Sequence, residues 1–236
     1  MDTGIPATTH RRGFLGRLAA GAVALTAFGP NGVREAAGAV VSPEAPPADA
    51  DAWLAGIKGQ HKQYFDATTV NEGFPFGFAM NYLNTMGETY KLTDKDLTAI
   101  VGLRHFSIPL AFNDAIWKKY KLGEFAKVTD PATKAPAIRN PYAFAKEGEL
   151  LFPGMAFEKL AKRGVIFTVC NVALTVLSGM MTPAGGDKAK TYAEWKAGLL
   201  KAPGPDGAPV SAFIVPSGVL AVGRAQEKQC TYCNAG

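Results

Sequence analysis

Gly164-Val165-Ile166-Phe167-Thr168-Val169-Cys170-Asn171 is the stretch on which the fold turns. Val165 to Val169 carries no charge and is rich in β-branched and aromatic side chains. It is too short for a helix and is bounded by a glycine and by Cys170-Asn171. That pattern predicts a strand buried on both faces. Upstream, Gly154 to Arg163 predicts a helix with Met155, Phe157 and Leu160 turned inward and Gly164 as its stop. Downstream, Ala173 to Met180 predicts another helix. Helices on both sides of a wholly apolar strand point to a parallel sheet.

The alternation extends in both directions. Tyr64 to Val70 predicts a first strand, followed by a loop through Asn71-Glu72-Gly73-Phe74-Pro75 and a helix from Gly77 to Tyr90. In that helix Phe78, Tyr82, Leu83 and Met86 recur at helical spacing. Leu97 to Leu103 is a second continuous apolar strand, and Asn113 is placed to cap a short helix carrying Ile116, Trp117 and Tyr120. After the central stretch come a strand at Ala212 to Val215, a helix from Ser217 to Glu227 and a last strand at Cys230 to Ala235. The expectation is an α/β domain over 60–236, with a mainly parallel five-stranded sheet between two helical layers. Residues 40–59 are rich in Pro and Ala and read as a linker. Two polar segments interrupt the alternation. Residues 121–153 hold Pro131, Pro136, Pro141 and Pro153, and residues 182–209 hold Tyr192 and Trp195. Excursions of that length are usually functional or form interfaces.

The N-terminus carries an address. Arg11-Arg12-Gly13-Phe14-Leu15 resembles a twin-arginine (Tat) export signal, followed by a short Ala/Gly-rich apolar run from Leu18 to Phe28 and a small-residue cleavage site at Ala37-Gly38-Ala39. The run is about half of the roughly 20 residues that span a bilayer, so no permanent membrane anchor is expected. Residues 1–39 are therefore read as a Tat signal peptide. Arg11 and Arg12 would engage the export machinery, and the protein would be periplasmic or otherwise exported. The formal charge of the chain is +5. Residues 1–39 contain four Arg and two acidic residues, so cleavage lowers the charge by two. The remaining basic residues are dispersed, which argues against a nucleic-acid interface.

Only His61 and His105 follow the signal, too few for a multi-histidine metal site in one chain. No metal ligands are assigned, and the sequence names no cofactor. The three cysteines, Cys170, Cys230 and Cys233, cannot form a disulfide framework. Cys230-Thr231-Tyr232-Cys233 has redox spacing but lies in an expected strand. There, residues three apart are about 10 Å apart and face opposite sides, beyond the Cα limit of about 7 Å for a disulfide.

In a parallel sheet ligands bind beyond the carboxyl ends of the strands. Arg104-His105, Cys170-Asn171 and Pro216-Ser217-Gly218 fall there. A thiol at a strand end beside a helix N-terminus meets free N–H groups and a positive dipole, both of which favour thiolate. Cys170 thus reads either as a nucleophile or as a small buried hydrophobe. His105 reads as a ligand contact or as a histidine bonded to backbone. Asn171 reads as an anion donor or as the start of a helix, and Ser217 with Gly218 as crevice lining or as a helix cap. Phe74-Pro75-Phe76-Gly77-Phe78 reads as a pocket wall, an oligomer contact or core.

Residues 164–171, followed by Ile214-Val215-Pro216-Ser217-Gly218-Val219 and Ala225-Gln226-Glu227, resemble the DsrE/DsrF-like sulfur-relay family. The resemblance is sharp from residue 154 onward. It implies a flavodoxin-like three-layer sandwich that assembles as a homo-oligomer, with Cys170 accepting sulfur as a persulfide and His105 as its neighbour or a ligand contact. The function expected is sulfur or thiol handling by an exported member. The alternatives are a non-enzymatic module binding a small molecule, haem or metal, and an oligomeric assembly subunit.

Overall fold

The computed structural model describes residues 50–236 apart from residue 131. The expected Tat signal at 1–39 and the first part of the expected linker lie outside the described residues. In chain order the elements are β1 (His61–Ala67), α1 (Phe74–Tyr90), β2 (Leu97–Leu103), α2 (Asp114–Lys119), α3 (Leu122–Phe125), α4 (Phe157–Lys162), β3 (Ile166–Cys170), α5 (Asn171–Met180), α6 (Lys188–Ala197), β4 (Lys201–Pro203), β5 (Pro209–Ser211), β6 (Phe213–Val215), α7 (Gly218–Glu227) and β7 (Thr231–Asn234). Among the described residues no helix is long and apolar enough to cross a membrane.

Five strands form one sheet in the order β6-β3-β2-β1-β7. Every pair is parallel, with Phe65 opposite Val101 and Val101 opposite Phe167. The expected five-stranded parallel sheet is therefore present. The central strand, β2, covers the expected Leu97 to Leu103 and is buried throughout. Numbered along the chain, the sheet strands run 4-3-2-1-5, whereas a flavodoxin order is 2-1-3-4-5. The layers are those expected, and the strand order is the chain's own.

That order sorts the helices. From β1 through β2 and β3 to β6 each step moves the same way, so right-handed crossovers place the connecting helices on one face. The step from β6 to β7 runs back across the sheet and places α7 on the other. Alternate strand residues report the two cores. Phe65, Val101 and Phe167 pack with Phe76, Leu83, Phe157, Leu160 and Trp195. Tyr64, Ile100, Ile166 and Val215 pack with Ala221 and Ala225 of α7.

The second core is thin, because α7 contributes only small side chains to it. Residues inside the expected linker fill the space. A 3-10 turn at Ala52–Gly56 buries Trp53 and Leu54 there, and Trp53 meets the Tyr64 ring edge-on at 6.5 Å. The domain thus begins before the expected Gln60. Tyr64 in turn occupies the place of a missing side chain in β2: a Cβ on Gly102 would lie 1.9 Å from the Tyr64 hydroxyl.

Three further expectations change. The first helix begins at Phe74, with Pro75 in its opening turn where a missing N–H is tolerated. Its buried face is Phe76, Ala79 and Leu83, while Phe78 points outward and Tyr82 and Met86 are half-buried. Residues 182–209 are not a featureless excursion. They contain α6, capped by Asp187, and the β4–β5 hairpin. α6 buries only Thr191 and Trp195, one turn apart, so its sequence looks polar. Residues 121–153 are pinned by buried Asn140, whose Nδ2 donates to the carbonyls of Leu110 (3.0 Å) and Phe112 (2.9 Å) and whose Oδ1 accepts from the Tyr142 amide.

Candidate functional site

The chain leaves β3 into α5 on one face and leaves β6 into α7 on the other. Neighbouring strands whose continuations diverge in this way open a crevice at their carboxyl ends. Cys170 and Val215 are paired across that boundary, so Cys170-Asn171 and Pro216-Ser217-Gly218 flank the topological switch point. Cys170, Asn171, Ser217 and Gly218 therefore flank that boundary.

Cys170 is the N-cap of α5; its Sγ accepts from the Ala173 amide at 3.4 Å. The Ala173 amide and the N-terminal end of a ten-residue helix therefore face the sulfur. The residue is unbridged and only 6% exposed. Asn171 opens α5, but its Oδ1 is occupied, accepting from the Tyr192 hydroxyl at 2.8 Å. Ser217 occupies the N-cap position of α7 in an extended conformation, yet its hydroxyl makes no capping hydrogen bond. The expected cap is thus positional only. Gly218 is a point of close approach: a Cβ there would lie 2.6 Å from Cβ of Arg104.

His105 follows β2 in a left-handed conformation (φ +57°), and its exposed ring meets the Phe106 ring at 4.5 Å, tilted by 54°. The backbone around it is tied to the end of β1, through Arg104 N–H to the Ala67 carbonyl and Phe106 N–H to the Thr68 carbonyl. Arg104 is the residue that reaches from β2 toward the crevice, with its stem passing Gly218.

Arg104 anchors a buried polar group that the sequence reading missed. Its Nε and NH2 donate to Asp66 Oδ1 and Oδ2 at 2.7 and 2.8 Å, and the Tyr232 hydroxyl donates to Oδ2 at 3.0 Å. The Asp66 side chain is 3% exposed. Beside it the Tyr64 hydroxyl meets Thr168 Oγ1 at 3.4 Å. Burial raises the Tyr64 phenol well above its usual range; the Thr168 hydrogen bond and the Arg104 charge oppose that, and the Asp66 charge adds to it. The Arg104 guanidinium is held further toward its charged form by the Asp66 hydrogen bonds. A carboxylate within Tyr64-Phe65-Asp66-Ala67 was the available signal, since an acidic residue in a buried strand needs a cation.

The other two cysteines behave as spacing predicted. Cys230 lies in the thin core and Cys233 packs toward the thick one; both are unbridged. Burial pushes both thiols up. Among the described residues no three His, Cys, Asp or Glu side chains gather into a metal-type cluster. The aromatic segment divides: Phe76 is core, whereas Phe74 lines a separate cavity that Cys170 does not touch.

Fold and crevice together define a three-layer α/β protein with a thiol at its topological switch point. No family model, curated protein or solved structure matches the chain.

Proposed function

We propose that this is an exported, DsrE-like protein that handles sulfur or thiols through Cys170. One observation carries the reading: the divergence of α5 and α7 brings Cys170 to the switch point, with its sulfur on a helix N-terminus. The thiolate would attack the outer sulfur of a persulfide or polysulfide donor. A new S–S bond forms on Cys170, the donor's S–S bond breaks, and the donor leaves as a thiolate that takes up a proton. Asp66 and Arg104 hold the floor of the crevice rather than reacting, since each is committed to the other.

Export through Arg11 and Arg12 belongs to the same proposal and rests on the sequence alone. Assembly with further copies of the chain does too. It is supported by α5, where Val172, Val176 and Met180 form an exposed apolar stripe at four-residue spacing, Met180 being 67% exposed. Iodoacetamide kinetics on the folded protein test the thiol reading. Cys170 should label faster than Cys230 and Cys233, and labelling of Cys170 only on unfolding would remove the chemistry from this site.

A further inference from the structure

A second concavity lies away from the thiol. It has a volume of about 1060 Å³ and opens between the loop that follows β1 and the 121–153 segment, at the upper end of the range for small-molecule sites. Its walls include Phe74, Phe106, Phe125, Tyr142 and Met155. Phe106 and Phe125 meet at 5.9 Å and 59°, and Phe106 remains 46% exposed. Leaving such a ring open forgoes apolar burial that a flat ligand would supply.

The polar groups restrict what that ligand can be. Tyr142 is 7% exposed, and its hydroxyl has no hydrogen-bond partner among the described residues. Burial, then the nearby Glu72 carboxylate, pushes that phenol up to about 12, so it stays a donor at neutral pH. Glu149 is already engaged by Arg139 and by the Lys146 amide. Glu72 and Lys127, both exposed, offset one another. The wall therefore offers stacking surface and one buried hydroxyl donor, that of Tyr142, with Thr69, Asn71 and Thr129 as exposed neutral polar groups and the charges of Glu72 and Lys127 opposite in sign.

We propose that this cavity binds a neutral, flat aromatic molecule bearing a carbonyl-type acceptor, stacked on Phe106 with the tilted Phe125 ring against its edge, and accepting from the Tyr142 hydroxyl. The wall is prepared for this, because Asn140 fixes the segment that carries Tyr142. The site is independent of Cys170, so it stands or falls apart from the thiol reading.

The test is fluorescence titration of the full chain with the neutral naphthalene ketone Prodan. Saturable binding of one probe per chain is expected, with blue-shifted emission. Phe106→Ala and Phe125→Ala should each weaken it about two- to tenfold. Tyr142→Phe, which keeps the ring and the packing, should weaken it by a similar factor. Cys170→Ser should leave it unchanged. Circular dichroism confirms that each variant is folded before its affinity is read. Absence of saturable binding, unaltered affinity in both Phe variants, loss of binding in Cys170→Ser, or tighter binding of the anionic dye anilinonaphthalene sulfonate would each overturn the proposal.

Discussion

Gly218→Ala is the most exacting perturbation of the crevice. The added Cβ would sit 2.6 Å from Cβ and 2.8 Å from Cδ of Arg104, and the first of these cannot rotate away. Overpacking of this kind costs about 1–3 kcal/mol. If Arg104 shifts to relieve it, the bidentate pair with Asp66 weakens. Full loss of a buried partner costs about 3–5 kcal/mol, because the remaining charge is stranded. Replacing glycine at the start of α7 returns at most about 1 kcal/mol of helix propensity. The balance is a loss of about 2 kcal/mol, or roughly 4–8 °C in Tm for a domain of this size. Urea unfolding of Gly218→Ala, Arg104→Gly and the double variant forms the assay, glycine being needed at 104 because alanine would keep the obstructing Cβ. Arg104→Gly alone should be strongly destabilising. On that background Gly218→Ala should cost no more than about 0.5 kcal/mol, because the obstructing side chain is gone, leaving a coupling of at least about 1.5 kcal/mol. A neutral or stabilising Gly218→Ala, or an equal cost in both backgrounds, would show that Arg104 does not occupy the position assigned to it.

Trp195 is fully buried against Phe112 and Tyr120, and its Nε1 has no partner among the described residues. Trp195→Ala should cost about 3–5 kcal/mol in chemical unfolding. Trp195→Phe should cost well under half of that, since it removes an unsatisfied N–H along with the lost area. Tyr142 supplies a pH signature. Its folded-state value of about 12 lies above the usual 10.0, so the protonated phenol favours the folded state. That contribution is complete below about pH 10 and is lost as pH rises through about 12; two units correspond to about 3 kcal/mol. Stability measured across this window should fall less steeply in Tyr142→Phe than in the parent, and identical slopes would contradict the assignment.

The sheet was legible because its strands are buried on both faces. Leu97 to Leu103 and Val165 to Val169 carry no charge and are buried throughout. The switch point followed from chain order, and four candidate residues came with it. What escaped the reading depends on partners far away in sequence. Trp53 looked like linker because its core is completed by Tyr64 and Ile100. α6 looked like a loop because a short helix at the rim buries one tryptophan and one threonine. His105 and Arg104 are neighbours in the chain, yet a single left-handed residue after β2 leaves the His105 ring exposed while Arg104 turns in to Asp66. No local pattern reveals that Arg104 answers Asp66 across 38 positions.

The central claim is that Cys170 is the thiol that takes up sulfur. Intact-mass analysis, with peptide mapping, of protein exposed to inorganic polysulfide tests it most directly. The account predicts one added sulfur atom on Cys170, lost in Cys170→Ser, with Cys230 and Cys233 unmodified because burial holds both thiols in their protonated form. Sulfur carried by Cys230 or Cys233 while Cys170 stays bare, or no added mass in the folded protein, would contradict it.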